Sequence, residues 1–112
     1  MNVKENLECG LLFEIYKSLL TNKQQEILSY FLNRDISISE IAISVDSTRQ
    51  AVNDIIKRTL KTLEQYEKKL KILEKFKKMQ QEIEKLEVIS KKHTEIKDLE
   101  QITKKLDKIN LI

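Results

Sequence analysis

The sequence contains no proline or tryptophan, one glycine and one cysteine, and aromatic residues make up only 5% of its 112 residues. This scarcity excludes glycine-rich phosphate loops, proline-rich ligands and collagen-like repeats. It also disfavours a multi-stranded β-fold, which needs turn residues at intervals of about 8–12 positions. The residues that remain are mainly Leu, Ile, Lys, Glu and Gln, which tolerate or favour helices. The composition therefore predicts an all-α fold.

Long hydrophobic runs are also missing. No apolar run reaches the roughly 18–20 residues that a membrane-spanning helix needs. Residues 1–5 lack the basic region and apolar stretch of a signal peptide. Cys9 has no second cysteine with which to form an internal disulfide, which is typical of a reducing compartment. We therefore expect a cytoplasmic protein without membrane insertion.

The charge is balanced rather than strongly basic. The formal net charge is +3, with seven Lys/Arg against eight Asp/Glu in residues 1–59 and fourteen against ten in residues 60–112. The basic excess therefore lies in the C-terminal half, where it alternates with acidic residues. That alternation is typical of a solvated helix face, so the net charge alone does not indicate a nucleic-acid partner.

Apolar residues recur at helical spacing throughout the chain, and polar residues mark where helices begin. A first helix is predicted over about residues 6–20. Thr21 with Gln24, and Ser37 with Glu40, have the spacing of capping boxes and predict the starts of a second and a third helix. Thr48 is predicted to cap a fourth.

From Thr48 to about Ile89 no helix breaker occurs, which predicts a continuous helix about 60 Å long. Its seam is heptad-like, but a run of three-residue intervals from Leu70 to Met79 shifts it. A turn is predicted at residues 90–94 and a final amphipathic helix over residues 96–109. We expect a helix-turn-helix domain at residues 1–60 and a long helical arm at 61–112. The predicted oligomerisation residues are Leu70, Leu73, Phe76, Met79, Ile83 and Leu86.

The exposed seam of this arm admits two arrangements, because a bare amphipathic helix cannot bury its apolar face in water. In the first, which we favour, two chains pair their arms as a homodimer. In the second, residues 94–110 fold back onto residues 66–89 of the same chain.

Residues 37–58 have the pattern of a helix-turn-helix, in which two short helices cross closely. Small Ala42 would allow the close approach, and Asp46 would take the left-handed conformation in the turn. The second helix would then present polar residues to solvent. Amide and guanidinium groups can bond base edges, and cations can hold phosphates. The predicted nucleic-acid-binding residues are Thr48, then Arg49, Gln50 and Asn53 for bases, and Lys57 and Arg58 for phosphates.

The pattern leaves an alternative open, because many three-helix domains contain such a crossing and bind no nucleic acid. Asp46 and Asp54 add negative charge near the presumed binding face. The alternative is a protein-interaction module that docks through the C-terminal arm and does not bind nucleic acid.

Candidate catalytic or metal-binding residues are scarce. His93, the single histidine, has no cluster of Cys, Asp or Glu at metal-ligand spacing and is interpreted as a turn residue. Cys9 has no neighbouring histidine in sequence that could act as a base, so it is interpreted as structural. We therefore expect no enzyme activity, no metal and no cofactor.

Several short stretches resemble known bacterial proteins. Residues 20–27 (LTNKQQEI), 39–42 (SEIA) and 48–52 (TRQAV) resemble region four of sigma factors. A closer resemblance, over residues 7–76, is to the YlxM family, and it rests on residues 12–21 (LFEIYKSLLT), 49–52 (RQAV), 56–59 (IKRT) and 73–76 (LEKF). Family sequences tend to carry glycine at the position of Asp46 and an apolar residue at that of Ser47, whereas Arg49 and Gln50 match.

The resemblance has functional implications that the residue pattern alone does not give. YlxM proteins are small bacterial proteins encoded beside the signal recognition particle GTPase and its receptor. The resemblance implies a regulatory helix-turn-helix protein of that pathway that binds nucleic acid, DNA in preference to RNA. Signal recognition particle components are further partners that it suggests.

Overall fold

The computed structural model describes residues 3–33, 35–92 and 97–109. Within these ranges the chain forms six α-helices and no strand, which confirms the all-α prediction. A short 3₁₀ helix, Lys17–Leu19, follows the first of them. The helices are α1 Val3–Tyr16, α2 Asn22–Leu32, α3 Ile38–Ser44, α4 Arg49–Leu70, α5 Ile72–Lys92 and α6 Lys97–Lys108.

The predicted helix starts are confirmed by their caps. At α2 the backbone N–H of Gln24 donates to Thr21 Oγ1 at 3.2 Å, and the N–H of Thr21 donates to Gln24 Oε1 at 3.0 Å. Ser37 Oγ accepts from the N–H of Glu40 at the start of α3. Thr48 Oγ1 accepts from the N–H of Ala51 at the start of α4. Each hydroxyl satisfies an N–H that has no acceptor within its own helix.

The predicted continuous helix from Thr48 to Ile89 is wrong. Helix α4 ends at Leu70, and Lys71 has a φ angle of 55°, in the left-handed region. The carbonyl of Lys71 then accepts from the N–H of Lys75 and begins α5. The break coincides with the start of the irregular spacing at Leu70, where the apolar seam changes direction.

The chain divides into two units between Leu70 and Lys71, so all of α4 belongs to the first unit. The boundary expected at residue 60 lies inside α4. The first unit packs α1, α2 and α3 against α4 around two apolar clusters. One contains Phe13, Tyr16, Leu20, Leu28 and Leu63, and the other contains Ile27, Ile41, Ala42, Val52 and Ile56.

In the second unit α5 packs against α6 of the same chain, which is the fold-back arrangement. Ile83 and Ser90 on α5 and Thr103 on α6 are buried. The six predicted oligomerisation residues differ widely in exposure. Leu73 and Ile83 are buried, Phe76 and Leu86 are half-buried, and Leu70 and Met79 are exposed.

Two further predictions concern the end of the chain. The turn expected at residues 90–94 is wrong for its first three residues, because α5 continues to Lys92. His93 and Ile96 lie outside the described residues.

Among the helices that the structure describes, none combines the length and the apolar character needed to span a bilayer.

Candidate nucleic-acid interface

The turn between α3 and α4 has the hydrogen bonds of a Schellman motif, a common way of ending a helix. The N–H of Ser47 donates to the carbonyl of Ala42 at 2.9 Å, and the N–H of Asp46 donates to that of Ile43 at 3.3 Å. Asp46 has a φ angle of 53°, as the sequence predicts for this position. The turn therefore ends α3 cleanly and starts α4 in a new direction.

The crossing of α3 and α4 is held by a small apolar core. Ile41, Ala42 and Val52 are buried, and Ala42 supplies the small side chain that a close crossing needs. Ile27 of α2 packs into the same cluster, so three helices fix the position of α4. A rigidly packed α4 is the requirement for presenting side chains to a partner in a fixed arrangement.

All six predicted nucleic-acid-binding residues are exposed, but they do not lie on one line of α4. At about 100° per residue, Gln50, Lys57 and Lys61 fall close together on the side opposite the buried Val52 and Thr59. We call these three residues the outer line.

The two predicted arginines flank the outer line. Arg49 and Arg58 are nine positions apart, which is two and a half helical turns, so the two side chains leave α4 on opposite sides. Asn53 shares the Arg49 side. A single partner can therefore contact both Arg49 and Arg58 only if it reaches both flanks of α4. The two strands that border a DNA groove would do so when α4 lies in the groove.

Within the described ranges, the cations of this surface form no ion pair with a carboxylate. Ion pairs elsewhere include those of Lys17 with Glu14, Lys78 with Glu74 and Lys85 with Glu82, at 3.0, 3.6 and 3.0 Å. The side chains of Arg49, Lys57, Arg58 and Lys61 make no such pair within the described ranges. Asp54 is the one carboxylate that the exposed part of α4 carries between Arg49 and Lys61.

Arg58 lines a small cavity that lies between α4 and the start of α2. Thr21, Lys23, Gln24, Ile55 and Arg58 line this cavity, which we call the flank cavity. Its volume of about 290 Å³ is at the lower limit for small-molecule pockets. Lys23 and Lys61 are not among the binding residues predicted from the sequence. Lys61 could have been found from its spacing of four residues after Lys57, whereas Lys23 depends on how α2 and α4 pack.

The described residues include no group of three or more His, Cys, Asp or Glu side chains placed to hold a metal ion. Cys9 is half-buried on α1.

Comparison with known protein families agrees with this geometry. Residues 3–107 match the model of the UPF0122 family, described as "Putative helix-turn-helix protein, YlxM / p13 like". The chain belongs to this family. The matched range includes α3, the turn at Asp46 and the whole of α4.

Individual UPF0122 proteins are similar over 64–72% of the chain's length. A UPF0122 protein of Shouchella clausii is 50% identical over 72 residues, which cover 64% of this chain and 66% of the relative. One from Staphylococcus epidermidis is 44% identical over 77 residues, covering 69% and 70%. One from Bacillus velezensis is 43% identical over 81 residues, covering 72% and 74%.

Proposed function

We propose that this UPF0122 protein binds duplex DNA through α4 and acts as a non-enzymatic regulatory accessory of the signal recognition particle pathway. The observation that supports the proposal of DNA binding is the outer line of α4 together with the two flanks of that helix. These present amides and unpaired cations to solvent from a helix packed firmly against α2 and α3. Gln50 and Asn53 would contact base edges together with Arg49, and Lys57 and Arg58 would contact phosphates.

Duplex DNA is preferred over duplex RNA because of groove shape. The major groove of B-DNA is wide enough for an α-helix, whereas that of A-form RNA is deep and narrow. Helix α4 has 22 residues, so it is about 33 Å long and has several exposed turns available for a groove.

The pathway assignment rests on the family resemblance alone. YlxM relatives are encoded beside the signal recognition particle GTPase and its receptor. Genes that lie together often act in one pathway, so we assign the regulatory role to that pathway. Components of the particle are further candidate partners.

A salt-dependent titration tests the DNA-binding proposal. Labelled duplex DNA and a structured RNA are each titrated with the full chain, between about 50 and 200 mM salt, and binding is followed by fluorescence anisotropy. We expect log affinity for the duplex to fall linearly with log salt. The Arg49→Ala, Lys57→Ala double variant should bind more weakly, with a salt slope that is smaller by about 1, because Lys57 is the phosphate contact of the two.

The matched control is the Lys17→Ala, Lys85→Ala double variant, which removes the same charge. Both lysines already pair with a carboxylate at 3.0 Å, so this control should bind like the wild type. Absence of duplex binding by the wild type would overturn the proposal and favour the protein-interaction alternative. Tighter binding to RNA than to duplex DNA would overturn the choice of nucleic acid.

We also propose that the chain pairs as a homodimer through the second unit. Ile89 and Ile102 each directly precede a buried residue, Ser90 and Thr103, and each is about half exposed. Only four residues separate α5 from α6, so the packed pair runs antiparallel. In an antiparallel pair these two isoleucines lie along the same edge. A second copy would cover that edge.

Light scattering after size exclusion tests the dimer. The Ile89→Glu, Ile102→Glu variant should elute as a monomer while the wild type is dimeric. Val88→Glu is the control, because Val88 is exposed but lies about 200° around α5 from Ser90. A monomeric wild type at high concentration would contradict the proposal.

A further inference from the structure

The flank cavity carries a second group of polar contacts beside the outer line. It is formed by residues from two helices, Lys23 and Gln24 of α2 and Ile55 and Arg58 of α4, together with the N-cap residue Thr21. Two of the five described lining residues are cations and none is a carboxylate. Two cationic side chains therefore border the cavity, and no carboxylate is among its described lining residues.

The cations of the flank cavity are available to a ligand. Lys23 and Arg58 are both exposed, and their side chains make no hydrogen bond or ion pair with the part of the chain that the structure describes. In contrast, Lys17, which is nearby in sequence, is held by Glu14 at 3.0 Å. Two like charges directed at one cavity repel each other, and an anion between them would remove that repulsion.

The start of α2, where Thr21, Lys23 and Gln24 line the cavity, has further hydrogen-bond donors. Gln24 Oε1 accepts from the N–H of Thr21, so the Nε2 end of the amide is the end left to donate. The first hydrogen bond within α2 is made by the N–H of Gln25. The N–H groups of Asn22 and Lys23 precede it and have no acceptor inside the helix.

We propose that the flank cavity binds one phosphate of the DNA backbone, held jointly by Lys23 of α2 and Arg58 of α4. This inference rests on the proposed function, because the phosphate belongs to the strand that lies beside α4. Arg58 leaves α4 about 80° from Gln50 on the outer line, which is the side on which a backbone passes when the outer line enters a groove. A cavity of about 290 Å³ has room for a phosphate group.

The test uses the full chain and the anisotropy titration, with Lys23→Ala, Arg58→Ala and the double variant measured on two duplexes of unrelated sequence. We expect each single variant to weaken both duplexes equally, because a phosphate contact carries no sequence information. The double variant should lower the salt slope by about 1 rather than 2, since the two cations neutralise one phosphate. Lys17→Ala is the control, and Lys23→Arg should retain binding.

The outcomes separate this inference from the proposed function. If Lys23→Ala binds like the wild type while the Arg49→Ala, Lys57→Ala variant is weakened, the flank cavity is not a phosphate site and DNA binding by α4 stands. If the double variant lowers the slope by about 2, the two cations hold separate phosphates and the shared site is wrong. If the wild type binds no duplex, both proposals fail.

Inorganic phosphate distinguishes a backbone phosphate from a free anion. In an amide NMR titration, phosphate should shift the Asn22 and Lys23 signals weakly, and duplex DNA should shift the same signals at much lower concentration. Saturable binding of inorganic phosphate that duplex DNA does not displace would assign the cavity to a free anion and overturn the inference. Thermal melting of each variant confirms that it is folded.

Discussion

Replacing Asp46 with glycine tests the geometry of the turn that positions α4. The φ angle of 53° at Asp46 is costly for a residue with a Cβ atom, by roughly 1–2 kcal/mol for an ordinary residue and less for Asp. Glycine removes this strain. It also gives the unfolded chain more conformational freedom, which lowers the free energy of unfolding by roughly 0.5–1 kcal/mol. The net gain for Asp46→Gly should therefore be small, up to about 0.5 kcal/mol in the free energy of unfolding.

The gain should be visible in thermal unfolding followed by circular dichroism. For a domain of this size about 1 kcal/mol corresponds to a rise in Tm of roughly 4–8 °C, so Asp46→Gly should raise Tm by up to about 2–4 °C. Asp46→Ala retains a Cβ atom at the same φ and should give no gain. Asp35→Gly makes the same substitution in an exposed turn residue without a positive φ, and it should be neutral or destabilising.

Two results would refute this reasoning. If Asp46→Gly lowers Tm, the aspartate side chain stabilises the folded state by more than its positive φ angle destabilises it. If Asp46→Gly and Asp35→Gly change Tm equally, the effect is a general one of glycine on the unfolded chain. In either case the left-handed turn would not explain the stability of the α3–α4 connection.

Further predictions concern the core and the surface. Tyr16→Phe should lower stability by about 1–2 kcal/mol, because the hydroxyl donates to Glu67 Oε1 at 2.7 Å, whereas Tyr30→Phe should have little effect in the same denaturant titration. Ile27→Ala should cost about 2–5 kcal/mol, since Ile27 is fully buried, and Ile43→Ala, at a residue that is 81% exposed, should be neutral. Asp54→Asn should raise affinity for duplex DNA at low salt, and an unchanged Kd would contradict the placement of Asp54 beside the DNA.

Much of the first unit follows from local sequence rules. The caps at Thr21, Ser37 and Thr48 depend on residues no more than three positions apart, and such short-range hydrogen bonds are visible in the sequence. The left-handed turn at Asp46 follows from the need to end α3 before α4 begins. The exposure of Arg49 and Gln50 follows from the apolar face of α4, which fixes the side that packs inward.

The division of the chain into two units at Lys71 could not be predicted from local sequence rules. Lys71 is an ordinary helix-forming residue, and nothing local distinguishes it from Lys68 or Lys69, so helix propensity does not explain its left-handed conformation. The choice between a fold-back hairpin and a long helix pair also depends on tertiary contacts, because the same apolar seam serves both.

The candidate site was predictable residue by residue but not as a surface. Spacing identified exposed residues on α4, yet it did not show that Arg49 and Arg58 lie on opposite flanks or that Lys23 joins the surface. Lys23 lies 35 positions before Arg58 in the chain, and only the packing of α2 against α4 brings both to the flank cavity.

The most direct test of the account is to map the surface that duplex DNA contacts. In a titration of the isotope-labelled full chain with a short duplex, followed by amide NMR, we predict that the shifted signals concentrate in residues 48–61 and at Asn22 and Lys23. Signals of α6 should remain unchanged at low salt. Shifts confined to residues 72–109, with α4 unaffected, would contradict the account and show that the first unit does not bind the DNA.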